Sequence, residues 1–440
     1  MSSKEFSNVE VKDIISDLEA NPGNSITSIN HQATNNSDGK YIVIKDIHNN
    51  VMMPTTMASN MLKNFQASFN ATSIQNLIDK GYSIVGSANL DEFAMGSTTK
   101  TSIFGPVENV MDASLTPGGS SGGSAYIVAK GIVPLATGTD TGGSIRQPAA
   151  FNGIYGLKPT YGLVSRYGTL SFASSFDTIG PMTKDLEDNA KLINDLASND
   201  EYDQTNFMPD DFDALKTFNQ DIKGMKVGVM NRWLDSVRDE EIKEAILNQI
   251  EILKSLGAEI VEVDSPMTKY SFSLYMILAY AEASSNLNRY DGIRYGLAFD
   301  DTNNSYKKVR DNFGTEVKKR LIIGTYMLSS EHSKQYFYKG QELRKKMSDE
   351  FDNIYDKVDV VIAPTTPTLA FKSQEGMEPL DSYLSDQFTI PANLVGFPSL
   401  NVPIGTSNDG RFIGMQIMAD KYNEHIIYQV ANNLKGASHV

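Results

Sequence analysis

The sequence predicts an α/β fold built around one large sheet, on three observations. Short β-branched runs alternate with amphipathic, glycine-terminated helical stretches along the chain, the pattern of layered sheet and helix packing. No segment repeats at a fixed period, which sets solenoids and propellers aside. The 440 residues, 40% of them hydrophobic and 21% charged, are ample for a large core of ordinary globular composition.

The elements follow in order. "MSSKEFSNVEVKDII" is polar and acidic, without the basic flank or apolar stretch of a signal peptide. "KYIVIKDIHNN" opens as a strand with Lys45 at its exit. The stretch beginning "ASNMLKNFQ" predicts a helix stopped by Gly81, and "YSIVG" the next strand. "IVPLATG" is an apolar strand and "SIRQPAAF" a short helical turn. "MKVGVM", "DEEIKEAILNQIEILKSLG" and "AEIVEVD" repeat the strand, helix, strand alternation. "VDVVIAP", "PSLNVPIG" and "FIGMQIMAD" are strands, and "NEHIIYQVANNLKG" is a closing helix. Two polar stretches, 198–213 and 300–314, are expected as surface excursions because strand-forming runs flank both.

Composition excludes several kinds of chemistry. A net charge of −15 argues against this chain gripping a nucleic-acid backbone by itself. There is no cysteine, so disulfides, thiolate ligands and a cysteine nucleophile are all removed. Of the five histidines, His31, His48, His332, His425 and His439, no two stand at metal-ligand spacing. The longest apolar run, "YSFSLYMILAYA", is too short to cross a bilayer, and a cytoplasmic location is expected.

The stretch "LTPGGSSGGSAYIVAKGIVPLATGTDTGGSIRQPAAF", residues 115–151, holds two glycine clusters with embedded serines. A flexible tether would not be interrupted by core material such as "SAYIVAKGIVPLATG". A phosphate cradle needs a lysine after its glycines, and neither cluster has one. "GGSSG" matches the nucleophile elbow in letters only, because "VENVMDASLTP" before it is not a strand. What remains is a site of backbone N–H groups and hydroxyls. Glycines let successive N–H groups converge, and Ser144, led in by an apolar strand, is placed to attack a carbonyl. With histidine scarce, a neutral lysine is the base that sequence order leaves open, and Lys45 is the candidate. A lone Lys-Asp is ordinarily a surface pair, so pattern alone does not decide it.

The segment from "PGGSSGGS" through "FNGIYGLKPTYGLVSRYG" resembles the amidase signature family along its whole length. The resemblance implies one large mixed sheet covered by helices on both sides. It also implies a single domain over 1–440, with a short helical segment at 1–40 and the signature core at about 41–185. Carried over by position, Ser144 is the nucleophile and Ser120, after a non-proline cis peptide, relays its proton. Lys45 is the ultimate base, and Ser121 supports the relay. The oxyanion hole falls on the backbone of Thr141, Gly142, Gly143 and Ser144.

"NLDEFAMGSTTKTSIFGP", "AEASSNLNRYDGIRYG", "KKRLIIGTYMLSS" and "DQFTIPANLVGFPSLNVPIG" are similar to the A subunits of tRNA-dependent Glu/Asp amidotransferases. That likeness implies a glutaminase that delivers ammonia to a partner amidating Glu-tRNA(Gln), Asp-tRNA(Asn) or both. It further implies a heterotrimer with subunits B and C, in which tRNA, ATP and Mg are held mainly by the partner and this chain carries no cofactor or metal. Arg320 would take the carboxylate of glutamine and Asp386 its ammonium, with Tyr275 lining the pocket. The alternative is a free-standing amidase acting on another small amide. The segment before Lys45 is shorter than usual, and Lys100 stands where the A subunits often carry an acid; both leave the triad intact.

Overall fold

Side chains of the 41–45 run part alternately to two cores. Ile42 and Ile44 join one apolar cluster, while Tyr41 and Val43 join another, so both faces of this strand are covered. The computed structural model describes residues 2–293, 297, 305–372 and 384–437. Within them lie eleven strands: β1 Ile26–Ile29, β2 Tyr41–Lys45, β3 Ser83–Ala88, β4 Leu135–Asp140, β5 Tyr155–Lys158, β6 Thr178–Thr183, β7 Lys226–Val229, β8 Glu259–Glu262, β9 Val360–Pro364, β10 Ser399–Thr406 and β11 Phe412–Ala419. They form one mixed sheet in the order β1-β3-β2-β4-β6-β5-β10-β11-β9-β7-β8.

The predicted α/β class is met, and the alternation repeats at the far end of the sheet. On β9, Val360 and Ile362 face one cluster, Val361 and Ala363 the opposite one. The helices Glu240–Ser255 and Glu424–Ala437 cover the first face there, and Ser271–Asn286, Thr315–Leu328 and Lys339–Tyr355 the second. Of the two polar stretches, 198–213 is irregular between sheet strands, and residues 300–304 of the other lie outside those described. Among the described residues, no helix is long and apolar enough to cross a membrane.

One local expectation needs correction, and one element is not expected. The helix expected from Ala58 onward forms only over Thr72–Asp79, preceded by a 3-10 turn at Asn60–Leu62. Ser59 caps that turn through Met61 N–H and donates to Glu92 Oε1 at 2.5 Å; this tertiary anchor overrides helix propensity. The buried helix Gly122–Lys130 is not foreseen from the sequence, because it begins on two poor helix formers. Packing demands them: a Cβ on Gly122 would lie 2.3 Å from Thr99 Oγ1, and one on Gly123 2.4 Å from the Asn89 carbonyl.

What the sheet does for the site follows from strand direction. β2 runs parallel to its neighbours β3 and β4, so Lys45, Ala88 and Asp140 all end at one edge. Crevices of open α/β sheets form there, beyond the carboxyl ends of the strands.

Candidate active site

Lys45 leaves β2 fully buried. Its Nζ lies 2.8 Å from Ser120 Oγ, 2.9 Å from Ser121 Oγ and 2.9 Å from Thr139 Oγ1, while its backbone N–H donates to Thr137 Oγ1 at 3.0 Å. An ammonium can donate to all three hydroxyls. A neutral amine keeps the same contacts by turning its lone pair toward one of them. Burial pushes Lys45 down to about 7, against the opposing fields of Asp91, Asp140 and Asp177. The predicted base is thus poised near neutrality.

The first glycine cluster threads above this lysine, and the peptide bond between Gly119 and Ser120 is cis. Gly119 donates its N–H to Gln147 Oε1 at 2.9 Å, and a Cβ on it would lie 2.3 Å from Asp91 Oδ2. Asp91, buried, gathers the N–H groups of Thr99 at 2.9 Å and Lys100 at 3.1 Å, fixing the loop beneath the cluster. Ser121 N–H donates to the Ser144 carbonyl at 3.2 Å. The two clusters are therefore tied backbone to backbone.

The second cluster is folded around Asp140. Its carboxylate, fully buried with Arg146, accepts from Arg146 Nε at 3.1 Å and Nη2 at 3.0 Å. It also accepts from Gly143 N–H at 2.8 Å, Ile145 N–H at 3.1 Å and Asn393 Nδ2 at 2.8 Å. Burial alone would raise this carboxyl, but the Arg146 guanidinium outweighs it and holds the group at about 2. Removing one partner of such a pair costs about 3–5 kcal/mol, so the turn before Ser144 is firmly set.

One predicted oxyanion donor is displaced by that turn. Gly143 sits at φ +142°, which L side chains rarely adopt, and its N–H is given to Asp140 rather than to the cleft. The N–H groups of Thr141, Gly142 and Ser144 meet no acceptor among the described residues. Ser144 Oγ likewise has no hydrogen-bond partner there. Its link to Ser120 is not made in this geometry; catalytic hydrogen bonds often close only with substrate bound.

Ser144 opens into a cleft with an empty volume of about 400 Å³, shared with Gly142, Tyr275, Tyr280, Arg320 and Asp386. The Tyr275 ring covers Gly142, where a Cβ would come within 2.8 Å of it. Arg320 is buried on the inner side of Thr315–Leu328, its Nε 2.8 Å from Glu316 Oε1. Its guanidinium carbon lies 5.0 Å from the Tyr280 ring centroid and 5.5 Å from that of Phe172. Asp386 Oδ1 is buried without a hydrogen-bond partner among the described residues, 2.9 Å from where a Cβ on Gly143 would stand. Burial, then the Asp140 charge, pushes this carboxyl well above the usual range, against Arg146 and Arg320. A larger cavity, about 790 Å³ and lined by Arg166, Tyr167 and Asp177, reaches Thr139 but not Ser144. The candidate nucleophile lines the smaller cleft.

Thus Lys45, Ser120 and Ser121 are in direct contact, Ser144 joins them through Ser121, and Tyr275, Arg320 and Asp386 share its cleft. Sequence reasoning misses Thr139, Asp140, Gln147 and Glu316. Thr137 and Thr139 leave a signal as hydroxyls inside an apolar strand, and Glu316 stands four residues before Arg320 on one helix face. Asp140 and Gln147 leave none beyond their place in the glycine-rich stretch.

Known proteins are similar to this chain over most of its length. The sequence profile described as Amidase matches residues 32–427. The chain is 43% identical to the A subunit of glutamyl-tRNA(Gln) amidotransferase from Persephonella marina, over 96% of this chain and 89% of that protein. It is 44% identical to the Neisseria meningitidis protein of the same name, over 90% and 83%. The crystal structure of the A subunit of glutamyl-tRNA(Gln) amidotransferase from Thermotoga maritima superposes with a TM-score of 0.83 at 36% identity, covering 97% of this chain and 94% of that one.

Proposed function

The chain belongs to the amidase family, and on that premise we propose that it is the glutamine-hydrolysing A subunit of a tRNA-dependent amidotransferase. The observation that carries the reading is a lysine surrounded by three hydroxyls, one of them Ser120, beside a serine that opens on a cleft where a buried carboxylate oxygen, Asp386 Oδ1, has no partner among the described residues.

Ser144 Oγ attacks the carboxamide carbon of glutamine while its proton passes to Ser120, whose own proton passes to Lys45. A lysine near 7 is substantially neutral at physiological pH, so it can accept that proton without extreme driving force. The N–H groups of Thr141, Gly142 and Ser144 receive the oxyanion, each good donor stabilising it by roughly 3–4 kcal/mol. Collapse of the tetrahedral intermediate breaks the C–N bond, and the relay returns the proton to the departing nitrogen, which leaves as ammonia. Water then attacks the acyl-serine, is deprotonated by the same relay, and releases glutamate.

Asp386 supplies the argument for a charged substrate. A buried carboxylate oxygen without a partner among the described residues is costly, and an α-ammonium beside it restores one. Arg320 offers the other end a planar fork suited to a carboxylate. Ammonia would serve amidation of Glu-tRNA(Gln), Asp-tRNA(Asn) or both on partner subunits B and C of a cytoplasmic heterotrimer. ATP, Mg and most of the tRNA contacts belong to those partners.

The test is Ser144→Ala in the chain purified with whatever co-elutes with it. Glutamine hydrolysis should fall by about 10⁴-fold or more with the fold retained, and the co-eluting chains should include an ATP-dependent amidating enzyme. Turnover near normal would remove Ser144 as nucleophile; an active enzyme that copurifies alone would favour a free-standing amidase.

A further inference from the structure

Asp177 lies just before β6, is half-buried, and lines the larger cavity rather than the cleft of Ser144. Its Oδ1 accepts from Thr141 Oγ1 at 2.7 Å. Its Oδ2 accepts from Ser171 Oγ at 3.0 Å and from the N–H groups of Phe172 at 2.9 Å and Ala173 at 3.0 Å. One side chain thus holds two segments that the hydrolytic cycle uses differently. Thr141 offers an oxyanion-binding N–H, and Phe172 presents the ring against which the Arg320 guanidinium rests. The same turn is fastened from the opposite side by Asn286 Nδ2, which donates to the Phe172 carbonyl at 3.1 Å.

We propose that Asp177 is a positioning residue of the hydrolytic centre, aiming the Thr141 N–H at the oxyanion through one carboxylate oxygen and setting the turn that backs Arg320 through the other. The proposal rests on the hydrolase reading above and extends it to a residue outside the triad and the clamp. Rival roles fit less well. A helix cap is not at issue, since Asp177 precedes a strand. A plain structural carboxylate would have no reason to span two functional segments.

A second consequence is electrostatic. The charged and titratable groups facing Lys45 are Asp91 beyond β3, Asp140 at the end of β4, Asp177 before β6, and His48 beyond β2. Around Asp177 itself stand Arg166, Glu282 and Tyr275. The Asp177 anion favours the protonated lysine, so removing its charge lets Lys45 lose its proton at lower pH.

Two variants test this, with glutamine turnover and the rate of Ser144 acylation by a small uncharged acylating reagent as separate readouts. Thr141→Val removes only the hydroxyl that reaches Asp177. It should slow acylation about 10- to 100-fold and lower kcat for glutamine by a similar factor with KM within about twofold, and Thr141→Ser should restore both. Asp177→Asn keeps the shape and should move the acid limb of the pH profile to lower pH, an effect a merely structural residue would not produce. If Thr141→Val acylates at the wild-type rate, the proposal is overturned, whether or not Asp177→Asn folds; so too if Asp177→Asn folds and leaves the acid limb in place. Should the wild type prove inert toward glutamine, the proposed function fails while the acylation rates still judge Asp177.

Discussion

At the nucleophile end of the cleft every polar group of the base is held: Lys45 Nζ has three hydroxyl partners, and Asp140 gathers the Arg146 guanidinium, Asn393 and three backbone N–H groups. At the substrate end, Asp386 Oδ1 has no hydrogen-bond partner among the described residues, and Arg320 is tied to Glu316 by an intrahelical pair. The first region is built from β2, β4 and two glycine clusters joined backbone to backbone. The second is assembled from Ser271–Asn286, Thr315–Leu328 and the turn around 386, elements far apart in sequence. The difference separates two tasks. Chemistry needs groups fixed before substrate arrives, because reorganising them during reaction raises the barrier, whereas recognition leaves one charge for the ligand to complete.

The largest effect that would break this contrast is in the preformed hub. Lys45→Ala and Ser120→Ala should each be severe, and the double variant little worse than either, as expected for groups acting as one unit. Fully multiplicative losses, measured as kcat/KM on glutamine, would mean that the two side chains act separately.

At the recognition end the effect should be smaller and selective. Asp386→Asn removes the charge that pairs with an ammonium, costing about 2–4 kcal/mol in kcat/KM for glutamine, or about 30- to 1,000-fold. Activity on an uncharged primary amide should change little. If the preference for glutamine survives the substitution, Asp386 does not read the ammonium.

These two ends also differ in how far the sequence reveals them. The glycine clusters are contiguous and carry Ser120 and Ser144 in one stretch, so their neighbours narrow the chemistry without further help. Lys45 is harder, because its burial depends on Ser121 and Thr139, which only folding brings to it. Tyr275, Arg320 and Asp386 carry no local pattern that separates them from core or surface residues; family likeness alone singles them out. The direction of the Gly143 N–H is illegible, since it depends on a φ open mainly to glycine and on a carboxylate three residues back. Strand alternation is legible over most of the sheet. The Gly122–Lys130 helix is not, because its glycines answer to Thr99 and Asn89 rather than to helix propensity.

The mildest expected effect is in pH. Because burial lowers Lys45 to about 7, the neutral base is present above that value and lost below it. The kcat/KM of glutamine hydrolysis should therefore rise with pH through an acid limb near 7 and then level. Asp386→Asn should leave that limb in place, since the carboxylates that raise Lys45 most are Asp91, Asp140 and Asp177. A shift of the limb in that variant would mean that the two ends of the cleft are electrically coupled.

The most direct measurement is the site of covalent capture by a small uncharged acylating reagent, located by peptide mass analysis in four proteins: wild type, Asp386→Asn, Lys45→Ala and Ser144→Ala. A preformed hub separate from the recognition end predicts an adduct on Ser144 in wild type and at a similar rate in Asp386→Asn, a strongly slowed reaction in Lys45→Ala, and none in Ser144→Ala. An adduct on another residue, or capture lost in Asp386→Asn and kept in Lys45→Ala, would contradict the account.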